Sequence, residues 1–144
     1  MARIANQADS GVCADSSGNV FVPIGVKVNE YPHGATRPIA ELSLPGDSAS
    51  ACSVDPTTGK IAVKFESSSG DIAIFAGAKG RPTVFKTTGI NAQYLGYDDS
   101  GNLFVDGYLT NFSTGLNELP YEGSAFESIT ISGNPGKPGQ VQWD

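Results

Sequence analysis

The sequence predicts an all-β chain of three successive β-propeller blades, each of four antiparallel strands, about half of a closed ring. Three observations predict it. A hairpin signature recurs as Asp15-Ser16-Ser17-Gly18-Asn19, Asp55-Pro56-Thr57-Thr58-Gly59-Lys60 and Asp98-Asp99-Ser100-Gly101-Asn102, with its glycines 41 and 42 residues apart. An alternating segment follows each hairpin, Val28 to Pro32, Ile72 to Ala76 and Leu116 to Pro120, at spacings of 44 and 44 residues. No window sustains an i, i+3, i+4, i+7 apolar pattern, and Gly or Pro interrupts nearly every helical candidate. Four short strands in roughly 43 residues is the period of propeller blades. A β-sandwich would explain the alternation but not the repeated landmarks.

The elements follow in order. Each blade opens on a short apolar strand that runs into an acidic residue. At the turn, Asp15, Asp55 and Asp98 bond nearby backbone amides, and Gly18, Gly59 and Gly101 supply a positive φ without steric cost. A second apolar strand returns, as in Val20-Phe21-Val22, Ile61-Ala62-Val63 and Leu103-Phe104-Val105. The alternating third strand comes next, half buried by its period of two. Matching turns, Gly34-Ala35-Thr36-Arg37-Pro38 and Ala78-Lys79-Gly80-Arg81-Pro82, become Glu122-Gly123-Ser124-Ala125-Phe126 in the last blade. Fourth strands are expected at Ile39 to Leu44, Thr83 to Lys86 and Ser128 to Ser132. The whole of 1–144 is thus one propeller unit, with blades near 11–46, 50–88 and 92–133 and an extra first strand at 139–144.

Composition bounds the functions open to it. Nine basic and fifteen acidic residues leave a net charge of −6. No cluster of Lys or Arg offers the footprint that nucleic acid or an anionic membrane surface requires. No run of about 18 apolar residues could span a bilayer, and Met1 to Ser10 lacks the basic-then-apolar pattern of a secretory signal. A trimmed secreted chain would read the same way, so the compartment stays open. Cys13 and Cys52 are 39 residues apart, with His33 as the only histidine. They read as small buried strand residues at the same place in successive repeats, with a disulfide as the minor alternative and a zinc site excluded by spacing.

At its hairpins the chain resembles the NHL-type and related six-bladed propellers, whose blades carry a motif like Val-x-Val-Asp-x-x-Gly-Asn-Leu-Tyr-Val. That motif reads here as Val12 to Val22, Cys52 to Val63 and Leu95 to Val105. More narrowly, Tyr97 to Gly107 together with Gly139 to Asp144 is similar to a group of uncharacterised bacterial NHL-like propellers. The resemblance covers nearly the whole chain and implies six blades. It says little of function, because such propellers host enzymes, lectins and interaction modules alike.

Closure is the next expectation. Gln140-Val141-Gln142-Trp143-Asp144 matches the first strand of a further blade, with Asp144 in the place of Asp15. Three blades span less than a ring, since closed propellers use about four to eight. Blades need neighbours on both sides to bury their core. A homodimer closes at six blades, whereas a trimer would give nine. Residues 130–143 of one copy thus duplicate the role of residues 1–14 of the next. Either terminal strand, the one at Val141, Gln142, Trp143 and Asp144 or the one at the start of the next copy, could complete the junction blade while the other hangs free or adds an edge strand. The competing reading is a piece cut from a longer chain, natural or engineered, which the missing second half favours.

No catalytic constellation is expected. His33 lies in a Tyr-Pro-His-Gly turn as a solvated loop residue, and no Gly-x-Ser-x-Gly elbow is present. Gly133 to Gly139 lacks the Ser or Thr of a phosphate loop, carries prolines and precedes a strand, so it reads as an inter-blade linker. Asp98 to Asn102 works as a β-turn without metal. Asn111-Phe112-Ser113 matches a glycosylation acceptor, a pattern that chance supplies often. Six-bladed lactonase-type propellers hold a metal with carboxylates and amides of their inner strands. The equivalents here, Val12, Cys13, Ala14, Ala51, Cys52, Leu95, Tyr97 and Gln142, make a poor calcium cage. The expected function is a non-catalytic self-assembling scaffold, without catalytic residues, metal or cofactor, that binds a ligand or protein at the channel mouth. A metal-dependent hydrolase or lactonase and a carbohydrate-binding propeller are the alternatives.

Overall fold

The structure, a computed structural model, describes residues 11–66, 72–133 and 136–139. Twelve strands form three separate four-stranded antiparallel sheets, consistent with three propeller-like blades, and no helix occurs among the described residues. The first sheet joins β1 (Cys13–Ala14), β2 (Val20–Ile24), β3 (Lys27–Tyr31) and β4 (Ala40–Ser43) in chain order. The second joins β5 (Ala49–Val54), β6 (Ile61–Phe65), β7 (Ile72–Phe75) and β8 (Thr83–Phe85). The third joins β9 (Asn91–Tyr97), β10 (Leu103–Tyr108), β11 (Thr114–Leu119) and β12 (Glu127–Ile129). Strictly consecutive order is what short hairpin turns produce, since each strand can only fold back beside its predecessor.

The period of two sets what each sheet buries. Phe21, Val28 and Leu42 of the first sheet pack against Ile61, Val63, Phe65, Ala73 and Phe75 of the second. The intervening residues of the second sheet, Ala62 and Ile72, turn the other way and pack with Leu95, Leu103, Val105 and Leu119 of the third. The second sheet is therefore buried on both faces, and every residue of β6 is buried. Each outer sheet has one face in an inter-sheet core and one turned away.

Two expectations need correction. The last fourth strand is Glu127–Ile129, not Ser128 to Ser132. Its connector begins at Thr130 and enters Gly133, whose φ of 96° lies outside the range a strand can continue through. The cysteines are also not equivalent buried residues. They form a disulfide, with Cα atoms 5.6 Å apart. Cys13 stands two residues before Asp15, whereas Cys52 stands three before Asp55. An offset of one reverses the face of a strand residue. Cys13 pairs across with Phe21, which faces the second sheet, and Cys52 with Val63, which faces the first. The two sulfurs thus meet in the seam between blades.

A bulge in the third sheet falls between Asp106 and Gly107, where β10 passes close to β9. A Cβ on Gly107 would lie 2.2 Å from the Asn91 carbonyl oxygen, so only glycine fits that approach.

Candidate functional site

The three turn aspartates do local, repeated work. The Asp15 carboxylate accepts the N–H groups of Ser17 and Asn19, each at 2.9 Å, and the Asn19 amide at 2.8 Å. Asp98 repeats the pattern with Ser100 N–H at 2.9 Å, Asn102 N–H at 2.8 Å and the Asn102 amide at 2.8 Å. Asp55 sits in a turn one residue longer, and the hydroxyls of Thr57 and Thr58 take the place of the asparagine amide. Gly18, Gly59 and Gly101 hold φ of 81°, 72° and 82° at these turns. Tyr121 donates its N–H to Asn102 Oδ1 at 2.8 Å and packs beside Gly101, so the β11–β12 connection braces the β9–β10 turn. His33, exposed, lies in the same way beside Gly18.

Burial pushes the Asp15, Asp55 and Asp98 carboxyls up, but the hydrogen bonds outweigh it and hold all three below the ordinary aspartate value. Their contribution to stability is therefore complete above the unfolded value, near 3.8 for Asp98, and drains away as pH falls through the folded one. Glu30 runs opposite: burial, then the Asp15 carboxylate, raises it. Asp98→Asn keeps one acceptor but turns an N–H₂ toward the Asn102 amide. We expect it to lower stability by about 1–2 kcal/mol at neutral pH. Its urea midpoint is expected to change less than wild type between about pH 5 and pH 2. Equal acid slopes would remove Asp98 from the account.

The two outward faces differ from the interior ones at equivalent positions. Val12, three residues before its turn aspartate, is 55% exposed, while Cys52 and Leu95 at that position are 9% and 5% exposed. Val20 and Tyr31 are half-buried, while their counterparts Ile61, Leu103, Phe75 and Leu119 are buried. Val22, at the centre of that face, is itself buried. On the far side of the third sheet, Leu116 and Ile129 are half-buried, while Val28 and Ile72, equivalent to Leu116, are fully buried. These two face a shallow hollow of about 410 Å³ that also takes in Leu109, Thr130 and Ile131.

Asp106, buried on that same sheet, ties Gly139 to it. It accepts the Tyr94 N–H at 3.1 Å and the Gly139 N–H at 2.7 Å, while Thr114 Oγ1 donates to the Gly136 carbonyl at 2.6 Å. Burial pushes the Asp106 carboxyl up, against the pull of those two N–H groups. The chain entering residues 140–144 is thus held at the third sheet. The expected junction residues Val141, Gln142, Trp143 and Asp144 lie outside the described residues.

A second feature is a cleft of about 190 Å³ between the second and third sheets, where Lys60, Arg81, Tyr97 and Tyr121 converge. Lys60 Nζ stands 5.7 Å from the centroid of the Tyr121 ring, and burial with the nearby Asp55 charge pushes the Tyr97 phenol far up. It could receive a small polar or anionic group. Among the described residues, no three His, Cys, Asp or Glu side chains gather as metal ligands. The sequence marks the turn residues, carries no signal for Asp106 and offers the disulfide only as the minor alternative. The one-residue offset of the cysteines was a usable signal for the latter. No known family model and no curated protein matches the chain.

Proposed function

We propose that the chain is a non-catalytic, self-assembling propeller scaffold that pairs with a second copy to close a six-bladed ring and binds a ligand or protein at the channel mouth. The observation that carries this reading is the incomplete burial of apolar positions on both end faces whose interior counterparts are buried, Val12 exposed on one side and Leu116 half-buried on the other. An open arc leaves Val12 and the half-buried side chains of those faces partly in water, and stacking a like blade on each buries them at about 25 cal/mol per Å². The resemblance to six-bladed propellers supports the count. The Cys13–Cys52 bridge supports residence in an oxidising compartment, where such bonds persist.

Leu116→Arg tests it by placing a charge at the proposed junction, where burial of an unpaired cation is prohibitive. Sedimentation velocity is expected to find a folded monomer for the variant and a dimer for wild type. A variant that sediments with wild type as a dimer would exclude this face from the junction.

A further inference from the structure

The seam between the second and third sheets carries a latch, and one end of the chain holds half of a second one. Asn117 on β11 points toward the second sheet and grips the connector between β8 and β9. Its Oδ1 accepts the Thr88 N–H at 2.7 Å, and its Nδ2 donates to the Thr88 carbonyl at 3.2 Å. The register places Asn29, Ala73 and Asn117 at one position of the repeat, opposite Val22, Val63 and Val105. The connector has a register too. Leu42, Phe85 and Ile129 pair with Val28, Ile72 and Leu116. Three residues beyond them stand Pro45, Thr88 and Ser132, each followed by glycine.

The two kinds of residue vary together. Where the connector has an N–H to give, at Thr88, the next blade has an asparagine; where it has Pro45, which has none, the next blade has Ala73. Asn29 is the third instance, on the outward face of the first sheet. Its Oδ1 is buried and, among the described residues, has no hydrogen-bond partner. A buried acceptor left without a donor is disfavoured, and natural structures rarely keep one. Within the repeat its donor would come from the connector that leaves the fourth strand of a preceding blade. The connector at the other end of this chain, Thr130 to Gly133, leaves β12 and carries an exposed Ser132 with a free position in the repeat pattern.

We propose that Asn29 of one copy grips the backbone of the partner's Ser132, as Asn117 grips Thr88 within the chain. The inference rests on the dimeric reading above and names its contact. It fixes the order of the ring: the third blade of each copy precedes the first blade of the other, so the same latch forms twice about the two-fold axis.

A double-mutant cycle read as dimer dissociation by sedimentation equilibrium tests it, with far-UV circular dichroism as the check on folding. Asn29→Ala strands the Ser132 N–H, and Ser132→Pro strands the Asn29 acceptor. Each alone is expected to weaken the dimer about a hundredfold, tenfold for each of the two latches. Together they recreate the natural Ala73–Pro45 combination, so the double variant is expected to dimerise no more weakly than either single one. Amide exchange at Ser132 gives a second reading: slow in the wild-type dimer and fast in Asn29→Ala. Additive losses with an unprotected Ser132 would overturn the latch while leaving the dimer standing, and would point to the chain's own N-terminal residues as the partner of Asn29. A wild type that is monomeric at every concentration would defeat the dimeric reading itself, before any variant is compared.

Discussion

Replacing both cysteines, Cys13→Ser with Cys52→Ser, is expected to lower stability by roughly 4 kcal/mol, because the bridge closes a loop of 39 residues in the unfolded chain. For a domain of this size that corresponds to a fall of about 8–16 °C in melting temperature. The bridge joins the first strand of one blade to the first strand of the next, so its loss falls on the seam between them. Each sulfur also fills a place there: Cys52 is 9% exposed and packs with Phe21 and Val63. Thermal unfolding monitored by circular dichroism, with and without reductant, checks this. A double variant that melts with the oxidised wild type would mean that the bridge constrains nothing.

Phe75→Ala is expected to cost about 3–5 kcal/mol, a large share of the 5–15 kcal/mol that a small domain commonly has. The ring is fully buried between the first and second sheets, and a close-packed seam of β-strands cannot collapse far enough to fill the space it leaves. Tyr31 is its counterpart on the outward face of the first sheet and is only half-buried. Tyr31→Ala is expected to cost clearly less in the isolated chain. Chemical denaturation of the two variants separates the cases, and equal costs would mean that the outward face is already closed.

How much of this was legible in the sequence depends on the range of the signal. The hairpins were readable because their determinants are local: Asp98 reaches no further than Asn102, and Gly101 needs only its own φ. The strand order followed from the same turns. The fourth strands were less well bounded, since Glu127–Ile129 is exposed on one side and its end is set by the connector, not by alternation. The disulfide is only the minor alternative in one dimension because the turn landmarks set Cys13 over Cys52, whereas one residue of phase decides which seam each one faces. Asp106 carried no signal at all in one dimension. Its partners, Tyr94 and Gly139, are brought to it by a bulge and by the return of the chain. Asn29 and Asn117 were legible only as an alternating strand. Their role depends on the connector of another blade, which the register of the sheets brings into view.

The claim on which the rest hangs is that an arc of three blades closes by pairing. Light scattering on the eluting protein, in oxidising buffer and over a range of concentrations, measures it most directly. The expected mass is near twice 14.9 kDa. A folded species that keeps a mass of 14.9 kDa at every concentration would contradict it.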